Sequence, residues 1–135
     1  MAICLESAVT TASACFDSIA ANAGSMVFVS SVGAFHPYPG IADYCAAKAA
    51  LEALMRAYAA ELAPHGARAN AIAPAVVDTD ILEAAPFSRE EAADFHRLGR
   101  VAMPSEVAAQ IAWLLSPSSE WMTGTVTKFD GGMTL

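Results

Sequence analysis

Positive charge is what this 135-residue sequence has least of: two lysines and five arginines face 14 carboxylates, for a net charge of −7. The arginines, at 56, 68, 89, 97 and 100, are scattered, so no basic surface is expected to track the phosphates of a nucleic acid. Cysteine is sparse and odd in number. Cys4, Cys15 and Cys45 show no metal-ligand spacing, and His36, His65 and His96 lie far apart, so neither a disulfide framework nor a metal site is expected. No run of about 18 uncharged apolar residues occurs, and Met1-Ala-Ile-Cys-Leu-Glu6 has no basic start. Neither a membrane span nor a signal peptide fits, and a cytoplasmic location is expected.

Apolar residues are what the chain has most of. At 56% hydrophobic content and a mean hydropathy of +0.42 it reads as one globular domain spanning 1–135. Leu5, Val9, Ala12, Phe16 and Ile19 repeat at helical spacing and predict a helix over about 3–21, capped near Asn22 and Gly24. Met26-Val-Phe-Val-Ser30 predicts a strand. The following Ser31-Val-Gly-Ala-Phe-His-Pro-Tyr-Pro-Gly40, with two prolines and two glycines, predicts an irregular loop. A helix is expected over 42–63, stopped by Pro64 and Gly66, then a strand over 67–73 closed by Pro74.

The polar stretch 78–100 predicts two short helices, near 80–84 and 88–96, the second opened by Ser88 and Glu91 as a capping box; such a segment is suited to a mobile lid. A helix over Pro104 to Leu115, with Ser105 near its start, and a strand over Thr125 to Phe129 complete the chain. Strand and helix alternate, the pattern of a parallel sheet covered by helices, here with about three strands. The first strand would leave an open edge that invites self-association.

The chemistry is concentrated at the start of the 42–63 helix. Tyr44 and Lys48 stand four residues apart and project from one face, and Ser31 lies thirteen residues before the tyrosine, just after a strand. A phenol is a poor proton donor or acceptor at neutral pH, but a nearby ammonium favours the phenolate and suits the pair to acid–base work. Lys48 falls within an apolar stripe formed by Tyr44, Leu51, Met55, Tyr58 and Leu62, where a lysine needs a partner or must reach along its stem to water.

Together with Val29-Ser-Ser31, Tyr44-Cys-Ala-Ala-Lys48, Asn70-Ala-Ile-Ala-Pro74 and Thr123-Gly124 through Asp130-Gly131-Gly132, the chain from about 3 to 133 resembles the short-chain dehydrogenase/reductases. The resemblance implies an α/β fold, the C-terminal half of a doubly wound, Rossmann-like parallel sheet. It implies NAD or NADP as cofactor and a secondary alcohol or ketone as substrate. It further implies that Ser31 binds the substrate oxygen, Tyr44 transfers its proton, and Lys48 tunes the tyrosine and holds the nicotinamide ribose. Pro74 would shape the turn along the nicotinamide, with Val77 and Thr79 contacting its carboxamide. A homo-oligomer, dimer or tetramer, would be the expected assembly.

Three departures from the family pattern stand out. Cys4 falls where the family places a helix asparagine in the proton relay, and Ala75 where it usually has glycine. Gly24, Gly33, Gly40 and Gly66 read as caps or turns, and no glycine-rich turn for the pyrophosphate occurs, so about half of the family domain has no counterpart in this sequence. Two other readings compete with the enzyme. One is an inactive remnant serving assembly through helices 3–21 and 42–63. The other is the extended branch of the superfamily, which the short ending after Gly132 disfavours. Aromatic residues Phe35, His36, Tyr38, Phe87 and Phe95 are placed near the substrate mouth without catalytic roles.

Overall fold

The computed structural model describes the backbone of residues 2–135 and the side chains of residues 5–135, so the Cys4 side chain lies outside the described residues. Along the chain run α1 (Ala2–Ala21), β1 (Ser25–Val29), α2 (Ala42–Leu62), β2 (Arg68–Pro74), α3 (Asp80–Glu83), α4 (Arg89–Asp94), α5 (Pro104–Leu115) and β3 (Val126–Phe129). The strands pair in parallel in the order β1-β2-β3, with Val27 opposite Asn70 and Ile72 opposite Thr127. This is the expected three-stranded α/β sheet.

Strand β2 lies in the middle and is buried from Ala69 to Pro74. Its alanines have little β-propensity, but they let a helix approach the sheet closely, and packing outweighs propensity. On that face Met26 and Phe28 of β1 and Ala69 and Ala71 of β2 meet Leu51, Met55, Tyr58 and Leu62 of α2, with Ala12 and Phe16 of α1 beyond. Met55 and Leu62 are fully buried, each worth about 2 to 3 kcal/mol of apolar burial. The Ser13 and Tyr58 hydroxyls stand 2.7 Å apart and tie α1 to α2.

The other face is covered by α5, whose Leu114 is fully buried. Arg68, at the start of β2, donates from Nη1 to the Leu114 carbonyl and from Nη2 to that of Ser116, both at 3.2 Å. A cation therefore answers the free carbonyls at the C-terminal end of α5. That end is fixed beside the beginnings of β1 and β2, as a helix crossing between parallel strands requires.

Four local expectations are corrected. The 31–40 segment is not wholly irregular, because Val32–Ala34 forms one 3-10 turn capped by Ser31. At the end of α1 it is Ala23 that takes the left-handed conformation, at φ 46°, and not Gly24. Gly24 donates to the Ile19 carbonyl at 2.9 Å, and a Cβ there would sit 3.3 Å from that oxygen and from the Ile19 side chain. The glycine thus answers a packing need. Helix α5 starts from Met103, whose N–H donates to Glu106 Oε2 at 2.8 Å, and Ser105 does not cap it. Finally, the apolar stripe of α2 is buried only from Leu51 onward, since Tyr44 is 38% exposed.

Backbone groups of Ser25, Val27 and Val29 point away from β2, because the bonds from Ser30 N–H to Ile72 and from Arg68 N–H to Gly24 set the pairing on even-numbered residues. The edge is open, and a cleft of about 510 Å3 runs between it and α1, lined by Thr11, Cys15, Val27, Val29 and Lys48 among others. Among the described residues no helix is long and apolar enough to cross a membrane, and no group of three or more His, Cys, Asp or Glu side chains is arranged to hold a metal ion.

Candidate active site

Ser31, Tyr44 and Lys48 converge at the C-terminal end of β1. Ser31 leaves the strand in extended conformation, and its Oγ accepts the Gly33 N–H at 3.2 Å, which starts the 3-10 turn and keeps the hydroxyl proton available to another acceptor. That turn packs on α2 where Gly33 fits between the two side chains of interest. A Cβ at Gly33 would lie 3.5 Å from Ser31 Oγ, 3.6 Å from the Tyr44 ring and 3.3 Å from Cys45 Sγ. The turn therefore fills the space between serine and tyrosine at ordinary contact distance, and the Cys45 sulfur is the neighbour closest to Gly33.

Lys48 follows one turn later on α2, its Nζ 5.7 Å from the Tyr44 ring centroid. The ammonium donates to the Val29 carbonyl at 2.8 Å, one of the outward groups of the open edge. A half-buried lysine inside the stripe is explained by this acceptor: the stem lies along the helix face and the charge reaches the end of the strand. The site is thereby placed beyond the carboxyl ends of parallel strands, where α/β sheets bind ligands.

The second group of expected residues lies past the end of β2. Pro74 is buried, and Ala75 donates to the Phe129 carbonyl at 3.2 Å without entering the left-handed region, so alanine is accommodated there free of backbone strain. Val77 forms an isolated parallel bridge with Ala102. The bridge uses the Val76 carbonyl and the Asp78 N–H, which turns the N–H and C=O of Val77 to the opposite side. Thr79 sits at the start of α3 with its hydroxyl 3.4 Å from the Val77 carbonyl. A peptide edge and a hydroxyl are thus presented together past the end of β2.

The aromatic residues separate into two groups. Phe87 and Phe95 pack edge to face at 5.3 Å within the α3–α4 segment, which has its own small core of Leu82, Ala92 and Val101 and an ion pair from Arg89 to Asp78. Phe35 and Tyr38 instead meet the C-terminal segment, Lys128 Nζ of β3 lying 4.8 Å over the Phe35 ring and Tyr38 donating to Met133 Sδ at 3.5 Å, while His36 packs edge to face on Tyr38 at 5.3 Å. Burial, then the nearby Asp130 carboxylate and the Cys45 thiol, push the Tyr38 phenol above its ordinary range.

Two relationships escaped the sequence reading. Asn70 is fully buried, donating to the Met122 carbonyl at 2.8 Å and accepting the Thr125 N–H at 3.1 Å. Gly124 N–H donates to the Ala69 carbonyl at 2.8 Å beside it. The motifs at 70–74 and 123–124 are therefore two halves of one clamp. Glu52 is the other: this carboxyl, 6% exposed, accepts the Ser30 hydroxyl at 2.8 Å. Its position four residues past Lys48 was the available signal.

With this geometry in hand, likeness to known proteins is informative. The family profile described as enoyl-(acyl carrier protein) reductase matches residues 1–134. The chain is 44% identical over 116 residues to 3beta-hydroxysteroid dehydrogenase 1 of Eggerthella lenta, covering 83% of this chain and 44% of that protein. It is 40% identical over 113 residues to the 3-oxoacyl-[acyl-carrier-protein] reductase FabG of Thermotoga maritima, covering 83% and 46%. The crystal structure of a 3-oxoacyl-[acyl-carrier protein] reductase from Brucella melitensis superposes with a TM-score of 0.90 at 30% identity, over 98% of this chain and 50% of that one. ElxO with NADP bound, 24% identical, is alike in fold with a TM-score of 0.85. The chain spans about half the length of the relatives it matches.

Proposed function

The chain belongs to the short-chain dehydrogenase/reductase family, and from that premise we propose that it carries the proton-transfer site of an NAD(P)-dependent oxidoreductase acting on a secondary alcohol or ketone. The observation that carries the reading is the convergence of Ser31, Tyr44 and Lys48 around Gly33 at the end of β1. The relatives differ in the substrates their names declare, from a hydroxysteroid to an acyl-carrier thioester, so the substrate is left at the level of its reacting group.

In the reducing direction Ser31 donates its hydroxyl proton as a hydrogen bond to the substrate carbonyl oxygen, while one of its two lone pairs accepts the Gly33 N–H. Tyr44 gives its phenolic proton to the same oxygen as the carbonyl carbon becomes tetrahedral, and takes it back in the oxidising direction. Lys48 places a positive charge beside the phenol and favours the negative oxygen left behind. When bound, NAD or NADP supplies or accepts the hydride. Val77 and Thr79 are the residues that would hold its carboxamide, with Pro74 fixing the turn before them and Lys48 within reach of the ribose.

A second reading, an assembly module without turnover, is favoured by the open edge of β1 and the cleft beside it. Titration of the purified chain with NADH and with NADPH, followed by cofactor fluorescence alongside size-exclusion elution, separates the two. Saturable binding, weakened in Lys48→Met, is the expected result. Absence of binding up to millimolar cofactor would overturn the enzyme reading for this chain and leave the assembly module.

A further inference from the structure

Glu52 is a buried carboxyl group that the proton transfer above does not use. Its Oε1 accepts the Ser30 hydroxyl at 2.8 Å, with Ser30 itself only 3% exposed, and its Oε2 lies 3.4 Å from Arg56 Nη2 on the next turn of α2. Withdrawing a carboxyl group from water is costly unless its partners are well placed, so a chain that keeps one in this position gains something a leucine would not give. What surrounds it shows what that is. Tyr44, Lys48 and Glu52 occupy successive turns of one helix face. Lys48 holds the Val29 carbonyl, Glu52 holds the Ser30 side chain, and the 3-10 turn that begins at Ser31 packs against Tyr44.

We propose that Glu52 is a positioning residue, clamping the end of β1 to α2 so that Ser31 is presented at the height of Tyr44. This rests on the reading of Ser31, Tyr44 and Lys48 as the reacting trio. Ser30 is the link: it is bonded through its backbone N–H to Ile72 at 2.7 Å and through its hydroxyl to Glu52, so the residue before Ser31 is held from the sheet side and from the helix side at once. The bond from Lys48 to the Val29 carbonyl holds backbone, and the bond from Ser30 to Glu52 adds a side-chain restraint one residue later. With Glu52 replaced, the strand end keeps its register but Ser31 loses its fixed direction.

Glu52→Gln keeps an acceptor for Ser30, Glu52→Leu removes it, and Ser30→Ala removes the same bond from the other side with almost no change of volume. Hydrogen exchange at the amides of Ala34, Phe35 and His36, which close the turn after Ser31, is the first readout and needs no turnover. Glu52→Leu and Ser30→Ala are expected to speed it about tenfold, and Glu52→Gln to stay within about threefold of wild type. Unchanged exchange in Ser30→Ala overturns the proposal even where Glu52→Leu fails to fold. The second readout is kinetic. In Glu52→Leu kcat falls about tenfold while nicotinamide affinity holds, and Glu52→Gln restores it. Equal losses of kcat and cofactor affinity, unrescued by glutamine, also overturn it. Turnover missing from wild type, with the exchange pattern as expected, counts against the enzyme reading and for the clamp.

Discussion

Lys48 Nζ donates a 2.8 Å hydrogen bond to the Val29 carbonyl. The acceptor is backbone, so the anchor persists whatever side chain occupies position 29, and the lysine stays beside Tyr44 as long as β1 and α2 keep their relative height.

Tyr44→Phe removes the only exchangeable proton of that side chain and should lower kcat by about 10² to 10⁴. With the ring 38% exposed, the thermal midpoint should hardly move. Steady-state kinetics with calorimetry check both halves. Turnover persisting in Tyr44→Phe and in Lys48→Met would refute the assignment of roles.

Asn70→Leu is a stability test. The substitution leaves the Met122 carbonyl and the Thr125 N–H without the partner that now serves both, at a cost of about 2 to 4 kcal/mol. Urea unfolding should show a lower midpoint with an unchanged slope. A loss below about half a kcal/mol would mean that water replaces the amide.

Glu106 sets an acid limit on the start of α5. Its hydrogen bond to the Arg100 guanidinium first, and that from the Met103 N–H second, lower its pKa to about 2. A depressed carboxyl favours the fold above its ordinary value and loses that contribution as pH falls through about 2. A carboxyl NMR titration should therefore place the Glu106 midpoint near 2, and Arg100→Ala should move it toward the ordinary carboxylate range. A midpoint unaffected by Arg100→Ala would contradict the pairing.

Tyr38 behaves oppositely in alkali. Burial, Asp130 and Cys45 raise its phenol pKa, so its contribution is intact below the ordinary phenol range and fades as pH climbs through the folded value. Near-ultraviolet titration should reveal a tyrosinate step above that range, absent from Tyr38→Phe. If Tyr38→Phe leaves the alkaline curve unaltered, the phenol is not held against Asp130 as described.

The helices were legible because an apolar face repeating every three to four residues has one interpretation in a chain with this many alanines, and the order of α2, β2 and the capping box at Ser88 and Glu91 follows from it. Ser31, Tyr44 and Lys48 were legible for a different reason: two of them share a helix face, and the third belongs to a motif whose members occur in fixed order. The clamps were not legible, because their partners are remote. Ser30 precedes Glu52 by 22 residues, and the four-residue step from Lys48 marks a helix face without marking the strand residue it serves. The start of α5 was legible from Pro104, but its cap was not, since Met103 offers no side-chain acceptor and Glu106 takes over by reaching back to its N–H.

The sheet is assembled from distant segments: Asn70 and Thr125, which meet where β2 and β3 begin to pair, are 55 residues apart. Every strand pairing must therefore close a long loop before any ladder bond is made, which in a parallel sheet is an entropic barrier with no nearby reward. The α1–α2 contact between Ser13 and Tyr58 closes a loop just as long as that between β1 and β2, so no local element seeds the sheet. The chain should accordingly refold slowly for its size, and the exposed edge of β1 is most vulnerable to mispairing in the interval before β3 arrives.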